Sequence, residues 1–205
     1  MAYNKFTLEK VANDFGLKIT NISGSIFDEP VASIAPSSLL KEFIEQYLPL
    51  ATAIGTEKAL SEFVIAPVLA ELIKISHKKI SLFSGIDFTI DAQKGLSGRC
   101  DFMISLSDNQ FFLTHPILTI VEAKKGDMST GFGQCVAEMV AARIFNEKHD
   151  HSLKVIYGVI STGSSWKFLK MQDNQVSIES GIIAISELDK LLGYLYKAIE
   201  SSVNN

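Results

Sequence analysis

Cysteine, proline and tryptophan are scarce in this chain, with two, five and one among 205 residues. Two thiols, Cys100 and Cys135, can close at most one disulfide, which excludes a cross-linked secreted scaffold and points to a reducing, cytoplasmic setting. A secretory leader is not expected either. Met1-Ala2-Tyr3-Asn4-Lys5 has neither a basic start nor a following apolar run, and Glu9, Lys10 and Asp14 interrupt what comes next. The longest apolar stretch, Phe63 to Ala70, falls far short of the roughly 20 residues that span a bilayer, and it contains Pro67, so no membrane partner is expected. Positive charge is not in excess either: 19 Lys and Arg stand against 23 Asp and Glu, a net charge of −4. That excludes a protein held to nucleic acid by bulk electrostatics, but not an enzyme that grips phosphate through a few residues and a metal ion.

What the chain does have is 47% hydrophobic and 20% charged residues, enough for a single domain over residues 1–205 with its own core. A compact fold of this size hides roughly 70% of the surface its unfolded chain exposes. There is no internal repeat and no low-complexity run. Thr7 is placed to cap a helix over residues 7–15, with Gly16 as its stop. Ser37 or Ser38 caps a second helix through Leu39, Leu40, Phe43, Ile44 and Tyr47 that Pro49 should end, so residues 1–50 read as an N-terminal helical extension. From Thr56 a stronger helix carries Leu60, Val64, Val68, Leu72 and Ile75 at steps of three and four. It is apolar over most of its circumference, lies deep against a sheet, and should kink at Pro67.

At Ile80 the period changes to two. Strands are expected over 80–90 and 100–106, with turn residues at 91–97 and 107–109, and Phe111 to Leu113 extends the meander. Ile117 to Val121 is an unbroken β-favouring run, as in a central strand buried on both faces. A helix follows from Phe132 to near Asn146, then strands over 155–160 and 166–171, then an amphipathic closing helix from Leu188 to Ile199. This order predicts an α/β fold with a mixed central sheet flanked by helices. Its core covers 56–171, and 180–205 is C-terminal helical decoration.

The chemistry lies where polar residues interrupt apolar strands. Glu122 directly follows the most buried run, where a carboxylate is costly unless it is paired, hydrogen-bonded or bound to a cation. Period-two alternation puts Glu122 and Lys124 on one side and Ala123 and Lys125 on the other. Asp101 opens the preceding strand, and a hairpin would bring it beside Glu122. Two adjacent carboxylates stay ionised most easily around a hard cation such as Mg²⁺.

Gly98-Arg99-Cys100-Asp101-Phe102, Ile120-Val121-Glu122-Ala123-Lys124-Lys125 and the helix-heading Gly133-Gln134 together resemble the D, ExK and Q elements of the PD-(D/E)XK nuclease superfamily, the restriction-endonuclease-like fold. The element order resembles its αβββαβ core over about 56–171. Within that superfamily the chain looks closest to the N-terminal nuclease domain of type I restriction motor subunits and to stand-alone bacterial and cyanobacterial relatives. The resemblance implies metal-assisted phosphodiester hydrolysis of nucleic acid, DNA first, in a defence or repair setting. Asp101, Glu122 and the Ala123 carbonyl would hold Mg²⁺, with Mn²⁺ as a substitute. Lys124 would orient or help deprotonate the attacking water, and Gln134 would position water or phosphate. The family's first helix often adds an acid, for which Glu57 is the choice and Glu62 the competitor. The two point about 140° apart on a helix, so only one can face the site. Many nucleases of this fold pair their sites, and the Leu188–Ile199 helix is a candidate dimer surface.

The chain departs from the pattern at Cys100, which stands where a proline often precedes the acid. Charge is also thin for long duplexes: from Ser76 to Lys125 there are six basic residues, Lys78 among them, against five acidic ones. Other readings stay open, namely a catalytically inactive binding or assembly module and a small-phosphate hydrolase. Gln134 and Glu138 alone would be an exposed i, i+4 pair. The Gly126–Gly133 loop lacks the Gly-Lys-Ser/Thr ending of a nucleotide-binding loop. His149 and His151 read as a surface tip, while His77 and His115 stand alone.

Overall fold

The computed structural model describes residues 2–77 and 79–203. Met1 and Lys78, which entered the readings of the N-terminus and the local charge, lie outside the described residues. Helix α1 (Leu8–Phe15) is capped by Thr7, whose hydroxyl accepts from Lys10 N, and it stops at Gly16 with φ 63°. Strand β1 (Lys18–Ile22) follows, and then α2 (Ser38–Ile54), capped by Ser37. Pro49 does not end α2, which runs on to Gly55. The hydrogen bond that proline removes belongs to the Glu45 carbonyl, and both residues are exposed, so water can satisfy the carbonyl and the helix continues.

The next helix begins at Thr56, whose hydroxyl accepts from Ala59 N. It runs as α3 (Glu57–Leu60), a π turn (Ser61–Ile65) and α4 (Ala66–Ile75). The break expected at Pro67 is taken up in that wider turn, after which proline sits in the first turn of α4, where an N–H has no helical partner anyway. Val64, Ile65, Val68, Leu69 and Leu72 along it have no solvent exposure.

The sheet comprises β2 (Ser81–Asp87), β3 (Arg99–Ser105), β4 (Ile117–Ala123), β5 (Val155–Ser161), β6 (Ser165–Gln172), β7 (Gln175–Glu179) and β8 (Ile183–Ala184), together with β1. The order across it is β1-β7-β6-β5-β4-β3-β2, and β8 also pairs with β6. β4 and β5 are parallel, joined by the crossover helix α5 (Phe132–Lys148), and β1 and β7 are parallel, so the sheet is mixed and helix-flanked as expected. Helices α2, α4 and α6 (Leu188–Val203) cover one face, while α1 and α5 cover the other. Each face carries its own apolar cluster.

Three further expectations change. The first 50 residues carry a strand as well as helices, because β1 has a free edge on β7 to pair with. Phe111 to Leu113 form no strand: Phe111 is 97% exposed, and Gln110 instead caps the outer edge of β2, with its side chain hydrogen-bonding Leu82 N and O. His115 does not stand alone, since its ring stacks on those of His149 and His151 with centroids 4.8 and 4.3 Å away. Among the described residues no helix is long and apolar enough to cross a membrane.

Candidate active site

β4 is buried to its carboxyl end, with every residue from Ile117 to Ala123 inside. Glu122 is 0% exposed there. Lys124 turns back beside it, its Nζ 2.5 Å from Glu122 Oε1. The same ammonium donates to Gln134 Oε1 at 3.4 Å, and Gln134 Nε2 donates to Glu138 Oε1 at 3.0 Å. Glu138 is also 0% exposed and Gln134 is half-buried, so the pair expected to be exposed from its i, i+4 spacing is largely covered and reaches the site. α5 is wedged between the sheet and α1, close enough at Gly133 that a Cβ there would lie 2.1 Å from the Phe6 carbonyl oxygen. The Gly133 side of this helix turn is closed to solvent.

Asp101 reaches the site through an irregularity in β3. Cys100 and Phe102 are two residues apart yet belong to the clusters on opposite faces, so strict alternation fails at the residue between them. Next to it on β2, Gly85 has φ 61° and its carbonyl accepts from Arg99 Nε. The ladder between β3 and β4 ends at Phe102 and Val121. Asp101 Oδ2 then takes the Ala123 N–H at 2.8 Å, finishing the ladder with a side chain. There the Asp101 and Glu122 carboxyl groups act on one another's ionisation.

Glu57 Oε1 accepts from Lys125 N at 3.1 Å, tying the first turn of α3 to the residue just past the site lysine. Glu62 is instead paired with Lys58 on the exposed side, 2.6 Å away. Of the two acids, Glu57 is the one at the site.

Charge is out of balance here. Burial, followed by the neighbouring Asp101 charge, pushes Glu122 up to about 8, although Lys124 pulls it down. Burial and then the Glu122 charge hold Glu138 well above the usual carboxylate range. Asp101 is raised by burial, against the Ala123 hydrogen bond that lowers it. Burial works against the Lys124 ammonium, but the carboxylates, led by Glu122, outweigh it and raise its pKa. Four acids, Asp101, Glu122, Glu138 and Glu57, thus act on one another around a single lysine. Behind them the Cys100 and Tyr3 side chains are held neutral, chiefly by burial.

An oxygen-rich, over-negative pocket is the donor set a hard divalent cation prefers. Asp101, Glu122 and the Ala123 carbonyl are two carboxylates and one backbone oxygen, and they fit such an ion in kind. Among the described residues no three His, Cys, Asp or Glu side chains are already grouped to hold a metal. Glu138 was the residue hardest to find from sequence. Its signal was present all the same, since it is the one charge in the otherwise apolar run Cys135 to Ala142. Comparison with protein-family models, with curated proteins and with solved structures finds no match to this chain.

Proposed function

We propose that the chain is a metal-dependent nuclease, hydrolysing phosphodiester bonds in nucleic acid, DNA in the first place, with Mg²⁺ or Mn²⁺. The observation that carries this reading is the buried Glu122 beside Asp101 and Lys124, a charge excess that a structural role does not call for. The helix, three strands, helix, strand order of residues 57–161 supports it, because that order sets the acids and the lysine together at the carboxyl end of β4. Asp101, Glu122 and the Ala123 carbonyl would hold the ion, which when bound supplies Lewis-acid stabilisation of the phosphate oxygens. Lys124 would orient or help deprotonate the attacking water. Gln134, itself held by Glu138, keeps the Lys124 ammonium directed into the site. Glu57 fixes the backbone at Lys125 and adds negative charge.

One observation favours an inactive member of such a fold, a binding or assembly module. Lys124 already pairs with Glu122 at 2.5 Å, which partly neutralises the acid without any cation. The test is cleavage of labelled single- and double-stranded DNA and RNA with Mg²⁺ or Mn²⁺. Glu122→Ala and Lys124→Ala, purified identically, are expected to lose at least about 100-fold of the activity. Activity unchanged in both variants rejects the site. No activity, together with no Mg²⁺ or Mn²⁺ binding by calorimetry, supports the module.

A further inference from the structure

Past Lys125 the end of the sheet opens into a cavity of about 730 Å³. It lies at the carboxyl ends of the parallel neighbours β4 and β5, bounded by the loop after each strand, where open α/β sheets present their ligand crevices. Leu60, Met128, Phe132 and Ile182 give it an apolar lining. Ile182 is 54% exposed, a large aliphatic side chain that the fold leaves at the opening. Two lysines, Lys125 and Lys167, also line it, the Lys167 ammonium donating to the Ser180 carbonyl at 3.2 Å, and Thr162 and Ser164 bring hydroxyls that meet one another at 3.3 Å. The carboxylate among the lining residues, Asp127, is already engaged, accepting from Ser129 N at 2.8 Å and Ser129 Oγ at 2.7 Å.

This mixture selects its ligand. A bare phosphate would leave the apolar lining wet, and a purely apolar molecule would leave two cations without a counter-charge. A nucleotide meets both demands, with a flat base for the apolar surface and a phosphate for the lysines. A volume in the usual range of small-ligand sites, roughly 300–1,000 Å³, admits one nucleotide with its phosphate. A base stacked inside a duplex cannot present its face to Phe132, whereas an unpaired one can. Lys125, which lines the cavity, directly follows the site's Lys124, and its N–H is held by Glu57.

We infer that the cavity receives an unpaired nucleotide of the strand being cut, so that the protein acts on single strands and frayed ends in preference to intact duplex. The link to cutting rests on the nuclease reading, while binding of the nucleotide does not. Binding is read by fluorescence anisotropy in EDTA, where metal-dependent turnover is blocked. The probes are fluorescein-labelled oligothymidylate and oligouridylate of about 12 nucleotides and a blunt duplex of equal length. Either single strand is expected to bind at least about ten-fold tighter than the duplex. Ile182→Asp and Lys167→Glu should each weaken strand binding about five-fold or more, while Lys10→Glu on α1 leaves it unchanged. Far-UV circular dichroism and a thermal melt check that each variant folds. Equal affinity for strand and duplex, or cavity variants that bind like wild type, overturns the inference. Strand binding that persists in Glu122→Ala, with no metal-dependent cleavage by wild type, would retire the nuclease reading and leave the cavity standing. Cleavage of strand and duplex alike, unchanged in the cavity variants, would do the reverse. The thymidylate and uridylate arms tell DNA from RNA.

Discussion

Glu122 shows how a single side chain ties stability to chemistry. Its carboxyl titrates near 4.5 in an unfolded chain and at about 8 in the fold. Across that window the folded state holds a proton the unfolded state has lost, so this group favours the fold below about pH 4.5 and the contribution fades as pH rises toward 8. Glu138 and Asp101, also raised, act in the same direction. Lys124, raised above its ordinary 10.5, stays charged throughout and adds no slope there. The lowered acids Glu29, Asp127 and Glu187 are fully exposed and oppose the trend only weakly. In chelator, the melting temperature is therefore expected to be higher at pH 5.5 than at pH 8.5, by scanning calorimetry. Glu122→Gln should flatten that slope and stabilise the protein at pH 8.5 by on the order of a few kcal/mol. Mg²⁺ or Mn²⁺ should raise the melting temperature more at pH 8.5 than at pH 5.5, since the ion competes with the proton for the same oxygens. A melting temperature that climbs from pH 5.5 to 8.5 without metal would mean these acids are ionised in the fold.

Among the elements, α2 and α5 show opposite tolerances. Pro49 in α2 costs a hydrogen bond whose carbonyl faces water, so Pro49→Ala should stabilise the protein by about 1–3 kcal/mol in urea unfolding. Gly133 in α5 is fixed by contact. A methyl there would lie 2.1 Å from the Phe6 carbonyl oxygen, so Gly133→Ala must push α1 off α5 and should destabilise by about 1–3 kcal/mol. An unfolding midpoint unmoved by Gly133→Ala would show that the N-terminal segment is free to shift. The amphipathic α6 has its apolar stripe, Leu191, Leu192, Leu195, Ala198 and Ile199, inside the chain's own core. That stripe is therefore not available as the dimer surface its spacing suggested.

For the whole molecule, the consequence concerns what can fold by itself. Residues 56–171 contain the candidate site, but α2 and α6 from outside that span complete the cover of one face of their sheet, and α1 packs on α5 over the other. The outer edge of β6 is closed by β7, and that of β7 by β1. A fragment of 56–171 is thus expected to be insoluble or molten, with dispersed amide signals in an NMR spectrum only for the full chain. A well-dispersed spectrum from the fragment would make the outer segments dispensable.

Local patterning determined most of the elements by itself. Thr7 caps the helix it was expected to cap, Ser37 is the one of the two serines that caps α2, a helix starts at Thr56 as expected, and Ile117 to Val121 is the buried centre of the sheet, because caps and periodicity act over a few residues. The same patterning singled out Asp101, Glu122 and Lys124 as polar interruptions of apolar strands. Only the tertiary structure decided what depends on neighbours distant in sequence. Glu57 rather than Glu62 meets the strand end, since helix rotation is set by packing on the sheet. Glu138 is buried because it meets groups brought from elsewhere in the chain, Tyr3, Cys100 and Glu122. β1 is a strand because β7 offers it an edge, and Asp101 turns into the site because β3 breaks its alternation where the ladder to β4 runs out.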